Sequence, residues 1–291
     1  MAAQMSGAVP MQVSGHYRQV GTFYIFSTAI PWAFWLAAAA IGVSDPVTPA
    51  NLELESVLGL IGLVAPMAAA FALILRDPVL REDIAGRIFN FKSAKPIYWL
   101  ASVAIMPVSI LLAMAISVPL GYSTAQFQLA AHASFTSGIF PVWFLLLLAP
   151  TLEELGWHTY GTDCLCSRFR LITASLLFAV YWAIWHMPLA LIRGYYQANL
   201  LHQSVWDALN FPLSIVPFVV LMNWLYYRTG RNILVAIVFH ITSGYFNELF
   251  ASHPDSKIIQ TGLLLALAVA ALIADRRLFF AAPNRVLSAP V

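Results

Sequence analysis

FPVWFLLLLAPTLEELGW, residues 140–157, is apolar for most of its length and then sets two glutamates, Glu153 and Glu154, side by side. A charged side chain at the centre of a bilayer costs about 2.5–3.5 kcal/mol even on the lenient insertion scale. Two adjacent carboxylates in such a run therefore need a reason, and intramembrane ionisable groups are functional-site candidates by default. His186 and His240 lie inside two other apolar runs, so the reading is a helix bundle holding a polar cluster built from three segments.

The rest of the chain supports a membrane reading. It has 291 residues, 60% hydrophobic and only 10% charged, where a soluble domain carries about 25% charge. Eight apolar segments approach the roughly 20 residues a bilayer needs: Phe23–Val43, Val57–Leu75, Ile97–Leu120, Phe140–Trp157, Leu171–Ile192, Phe211–Tyr227, Ile233–Phe250 and Ile258–Ala274. Backbone groups in lipid must be satisfied within the segment, which makes these helices. The expectation is an all-α polytopic bundle of about eight transmembrane helices. The first segment is longer than a signal-peptide core of roughly 7–15 residues and reads as an uncleaved helix.

Orientation follows the basic residues. Arg18, Arg76, Arg81, Arg87, Lys92, Lys95, Arg168, Arg170, Arg228, Arg231, Arg276, Arg277 and Arg285 fall at one end of an eight-helix bundle, and only Arg193 and Lys257 at the other. Both termini are thus expected in the cytoplasm. No basic tract suggests nucleic-acid binding; the implied partners are the lipid bilayer and a membrane-associated peptide or protein. The alanine-rich style points to the inner (cytoplasmic) membrane of a bacterium. Cys164 and Cys166 fall in a cytoplasmic loop, where a structural disulfide is not expected, and two sulfurs alone make no zinc site.

The chain reads as one membrane domain, 1–291, with the chemistry in core helices over 140–250 and flexible tails at 1–21 and 278–291. Between Arg76 and Lys95, Ile84, Ile88 and Phe89 recur at helical spacing among charges. That pattern fits an amphipathic surface helix or, more simply, a topology-setting basic loop.

Within the core, Glu154 and His158 are four apart and share a helix face, whereas Glu153 and Glu154 diverge by about 100°. The two carboxylates therefore do different jobs. Pro150 is expected to loosen the helix and Gly156 to admit a close neighbour. Trp182 lies one turn before His186. On the segment VAIVFHITSGYFNEL, His240, Gly244 and Asn247 share a face, with Ser243 beside them. Asn223 reads as an interhelical hydrogen-bonding amide. Two carboxylates and two imidazoles can activate water: Glu takes the proton, and His orients the water or polarises a carbonyl. The same four side chains, Glu153, Glu154, His186 and His240, are also ordinary donors for a divalent metal such as zinc, and the sequence leaves both designs open. There is no H-E-x-x-H helix and no Asp deep in an apolar segment, which argues against the zincin and aspartyl designs.

Three pieces in order resemble the CAAX protease and bacteriocin-processing (Abi, CPBP) family of membrane proteases. EELGWHTYG at 153–161 is similar to its first motif, E-E-x-x-x-R. WAIWH at 182–186 is similar to the second, an aromatic followed four residues later by His. His240, after WLYYRTGRNILVAIVFH, is similar to the third, H-x-x-x-N or H-x-x-x-D. The resemblance covers roughly residues 141–247. It implies an intramembrane endopeptidase whose site opens to the membrane or the cytoplasm, with Glu153, Glu154, His186 and His240 as the catalytic set. Its substrates would be a prenylated C-terminal peptide or a bacteriocin-like precursor. Family members are described both as metalloproteases and as metal-free. Two positions depart from the pattern. His158 stands where the motif has Arg, and Gly244 stands where it has the amide or acid that stabilises the oxyanion; Asn247, Ser243 and Asn223 are the candidate substitutes. A catalytically impaired scaffold or immunity-type binder, and a proton-coupled transporter with a buried Glu/His relay, are the alternatives from other classes.

Overall fold

The computed structural model describes residues 13–43, 48–88, 90–91, 94–136 and 138–287. Among these the protein is helical, without a strand; the nearest approach to one is an isolated bridge between Leu129 and Phe250. The helices are α1 Val20–Gly42, α2 Pro49–Ile74, α3 Pro78–Ile88, α4 Pro96–Ser117, α5 Val142–Gly156, α6 Thr162–Cys166, α7 Leu171–Trp185, α8 Tyr196–Gln203, α9 Val205–Arg228, α10 Ile233–Leu249, α11 Pro254–Ala274 and α12 Arg276–Phe279.

Six of these runs are long and apolar enough to cross a membrane: α1, α2, α4 with the turn after it, α7 with the turn after it, α9 and α11. The shorter apolar α10 makes a seventh. The eighth pass is continuous from Val142 to Cys166, because a π turn at Trp157–Gly161 joins α5 directly to α6. Among the described residues these make about eight passes, and the protein is an integral membrane protein. α1 packs on α2, α2 on α5, α5 on α10, α10 on α4 and α9, and α9 on α7 and α11. Consecutive passes alternate in direction. The connections at 118–141, 192–204 and 250–253 therefore lie at one end, and those at 75–95, 167–170 and 229–232 lie at the other.

Sequence details account for the close contacts. Gly156 lets α5 lie against the backbone of α2. A Cβ there would stand 2.8 Å from the Pro66 carbonyl carbon, closer than packed atoms tolerate. Pro150 sits inside α5 without ending it, and the widening falls instead at the π turn, a device that recurs at functional sites.

Two expectations need correction. The segment 76–95 is not a bare basic loop: it holds α3, with Leu80, Ile84 and Arg87 buried. Phe89 and Lys92 lie outside the described residues. The expected tails are packed where they are described, with Tyr17, Phe279, Val286 and Leu287 all buried. Residues 1–12 and 288–291 lie outside the described residues.

Candidate active site

α5, α7 and α10 bring Glu153, Glu154, Trp182, His186 and His240 together. Glu154 is fully buried. Its Oε1 accepts from His240 Nδ1 at 2.7 Å, and its Oε2 pairs with His158 Nδ1. His158 Nε2 lies 3.0 Å from Asn223 Oδ1, and Asn223 Nδ2 donates to Ser175 Oγ at 2.9 Å. A buried chain therefore runs from α7 through α9 and the π turn to Glu154 and then to His240. An imidazolium at 158 satisfies it. So does a neutral ring with the Asn223 amide turned round, its oxygen then accepting from Ser175.

Glu153 is held differently. Trp182 Nε1 donates to its Oε2 at 3.0 Å. Its neighbours leave it on the wall of a cavity, whereas Glu154 lines neither cavity described below. The two glutamates, about 100° apart on the helix, thus have different partners and different access. Neither pairs with Arg168 or Arg170, which are exposed.

His186 Nδ1 donates to the Trp182 carbonyl at 2.6 Å, which leaves Nε2 as its acceptor. His240 is likewise engaged through Nδ1. Both rings are only half-buried and are clasped by aromatics. Trp182 meets both, Phe218 meets His240 edge-on at 5.4 Å, and Phe211 meets His186 edge-on at 5.4 Å.

Two cavities meet at these histidines. One, of about 520 Å³, has a mixed lining, with Asn199, Gln203, Asn210, Ser214 and Asn247 among its polar walls. The other, of about 250 Å³, is more apolar and runs between α2 and α5 past Gly59, Leu63, Ala149 and Pro150 to Glu153. Ser243, Gly244 and Asn247 line the first. The Asn247 amide, however, donates to its own helix at the Ser243 carbonyl, 2.9 Å away. Asn223 is not in the cavity at all; it supports His158 from behind.

A zinc ion needs three or four converging donors. Both oxygens of Glu154 are engaged, as are the Nδ1 atoms of both cavity histidines. Among the described residues no three His, Cys, Asp or Glu are grouped to hold a metal. Glu153 and the Nε2 atoms of His186 and His240 are the donors left free at the cavities.

Sequence reasoning missed the groups beneath the site. Asp163, Asp83, Arg87 and Arg231 form a buried ion cluster. Arg231 Nη2 lies 2.6 Å from Asp163, Arg231 Nη1 2.9 Å from Asp83, and Arg87 Nη2 2.8 Å from Asp83. The Tyr226 hydroxyl joins the cluster to the π turn by donating to the His158 carbonyl at 2.7 Å. Asp163 is fully buried but paired with arginines, so it is no aspartyl nucleophile. Cys164 and Cys166 are buried free thiols. Glu248 accepts from the Ser134 amide and hydroxyl, both at 2.6 Å, and so ties down a connection at the cavity rim.

This is a membrane bundle with a Glu/His cluster sunk between its helices. The profile of the type II CAAX prenyl endopeptidase Rce1-like family matches residues 134–246. The CAAX prenyl protease 2 of the archaeon Methanococcus maripaludis is 36% identical over 271 residues, covering 91% of this chain and 97% of the relative. The chain belongs to the Rce1-like CAAX prenyl endopeptidase family of membrane proteases.

Proposed function

We propose that the protein is an intramembrane endopeptidase that hydrolyses a peptide bond of a membrane-associated protein with water activated by Glu153. The observation that carries this reading is the split between the two glutamates. Glu154 is locked between His158 and His240, while Glu153 faces a cavity beside His186 and His240.

In the proposed step Glu153 accepts a proton from water as the water oxygen attacks the scissile carbonyl carbon. His186 Nε2 accepts a hydrogen bond from the water's other O–H, which stays on the oxygen, and aims the attacking lone pair. The Glu154 carboxylate stabilises a proton on His240, whose Nε2–H then donates to the developing oxyanion. As the C–N bond breaks, protonated Glu153 returns its proton to the leaving amine. No step requires an ion. The apolar cavity beside Glu153 suits an apolar group next to the cleaved bond, and the polar walls of the larger cavity suit peptide backbone.

A catalytically silent scaffold remains the second reading because Gly244 presents no oxyanion donor. Purified full-length protein incubated with membrane-anchored peptides, with and without a prenyl group, distinguishes the two. Mass spectrometry should find one defined cleavage. No cleavage of any peptide, including by a Gly244→Asn variant, would favour the scaffold.

A further inference from the structure

The chain of hydrogen bonds behind Glu154 starts on the helix that also bonds Glu153, and that common origin sets how the two halves of the site face each other. Resting on the catalytic reading of the Glu153 site, we propose that Asn223 is a positioning residue. Acting through His158, it fixes the Glu154 carboxylate and so aims His240 at the scissile carbonyl.

Asn223 does not reach the substrate. His240 lines both cavities, whereas Ser175, Asn223, His158 and Glu154 line neither, and all four are buried. Asn223 instead joins Ser175 Oγ, 2.9 Å from its Nδ2, to His158 Nε2, 3.0 Å from its Oδ1.

Each link removes a rotation that the next would otherwise keep. The terminal torsions of Glu and His side chains are broad rather than three-fold. A Glu154 carboxylate bonded to His240 alone would swing, and His240 with it. His158 Nδ1 stops that swing at Oε2, while His240 Nδ1 holds Oε1 at 2.7 Å. The His158 ring is fixed in turn only if its second nitrogen has a partner, and Asn223 is that partner. The Tyr226 ring, nearly one turn further along α9, meets the imidazole edge-on at 4.5 Å, which confines the ring without bonding its nitrogen. An arginine, with five donors in a rigid fork, grips a carboxylate unaided. A histidine at 158 has one nitrogen for Glu154 and one for its own support.

α7 supplies the reference for both glutamates. Ser175 and Trp182 are seven residues apart on it and so lie nearly in line. Trp182 Nε1 donates to Glu153 Oε2 at 3.0 Å. Glu153 is thus placed from α7 directly, and His240 is placed from α7 through Ser175, Asn223, His158 and Glu154. In the proposed step the base and the oxyanion donor act on the same carbonyl, so their relative placement enters the rate. Packing alone does not call for this amide. Asn223 interrupts the apolar run Phe218–Leu225, and interhelical amide bonds add little stability in membranes.

Asn223→Leu keeps the volume and removes both bonds. The test compares purified full-length protein with this variant on one membrane-anchored peptide, with turnover expressed per folded molecule. The variant's kcat should fall by about 10²-fold, the cost of a misplaced reacting group. Its KM should stay within about twofold of wild type, because no substrate contact is lost. A merely structural role would lower the folded fraction and leave kcat per folded molecule as it was; that result, or a raised KM alone, overturns the proposal. If Asn223→Leu does not accumulate, Ser175→Ala removes the far anchor and should lower kcat about tenfold, and an unchanged kcat overturns the proposal. A spectroscopic arm needs no turnover. In ¹⁵N-histidine spectra of the full chain, the His240 Nδ1–H resonance, assigned by its loss in His240→Gln, should shift in Asn223→Leu. An unshifted resonance overturns the proposal. A shift with no cleavage by wild-type protein upholds the positioning and counts against the proteolytic reading alone.

Discussion

Gly244 stands where the motif that the chain resembles has Asn or Asp, yet the space for such a side chain exists. A Cβ there meets only Leu146 Cδ2, at 3.4 Å, an ordinary contact. Asn247 is the obvious substitute by helical spacing, but one of its two amide hydrogens is given to the Ser243 carbonyl, which holds the amide against its own helix. Gly244→Asn is therefore predicted to raise turnover, by up to about 10²–10³, the usual worth of one oxyanion donor. Asn247→Ala should change turnover by no more than a few-fold. Steady-state kinetics of both variants on one peptide checks this, and an unchanged rate in Gly244→Asn would show that the His240 Nε2–H suffices without a second donor. His158 is the other departure. Truncating it to Ala strands a buried Glu154 oxygen and the Asn223 amide, at about 1–3 kcal/mol for each unsatisfied group. His158→Ala should unfold at lower denaturant than wild type in detergent, and a midpoint equal to wild type would contradict the buried chain. Glu153, Glu154, His186 and His240 were legible in the sequence because an ionisable group amid apolar residues has few bland explanations. Ser175 and Asp163 were not, since a serine in an apolar helix and an aspartate beside a loop cysteine acquire meaning only from the helices that fold against them. The reading of Asn223 as an interhelical amide was right about its chemistry, but the sequence could not say that its partner is His158.

The element that sequence reading understated most is α3. Its basic residues looked like topology signals, yet Arg87 is spent on the ion cluster that anchors the π turn. Periodicity showed a possible helix but not that charged Arg87 belonged on its buried face, because the compensating Asp163 lies 76 residues away. Asp83 on this helix is the measurable handle. Burial pushes its carboxyl up, but the neighbouring Arg87 and Arg231 guanidiniums outweigh burial and hold it below its usual range. A carboxylate depressed in the fold stabilises above its unfolded pKa of about 3.9. That contribution is lost as pH falls through the lower folded value. Asp83→Asn should thus cost up to about 3–5 kcal/mol near neutral pH, the usual loss on breaking a buried pair. The gap to wild type should close at acid pH, below about 3.9. Denaturant unfolding at neutral and acid pH checks the sign, and a gap that widens on acidification would contradict it. The seam between α2 and α5 offers a second test. Gly156→Val places a side chain against the Pro66 backbone and should destabilise by about 1–3 kcal/mol through overpacking, visible in the same unfolding curves.

Over the whole molecule, about eight passes were legible because lipid admits little besides apolar helices at these lengths. The fourth was the hardest to delimit, since its π turn and α6 carry His158, Thr162 and Asp163, polar residues that close the apolar signal early. The resulting architecture concentrates polarity along one axis: an open cavity with polar walls, two histidines, two glutamates, and then a plug of paired charge. The central claim is that Glu153, and not the locked Glu154 or a metal ion, activates the water. The direct measurement is turnover by purified full-length protein and its Glu153→Gln variant on one peptide, each with and without a chelator. The account predicts that the variant folds as wild type does and loses about 10²–10⁴ in turnover, the range of general acid–base catalysis, and that the chelator changes neither rate. Wild-type turnover by Glu153→Gln, or its abolition in wild type by the chelator, would contradict it.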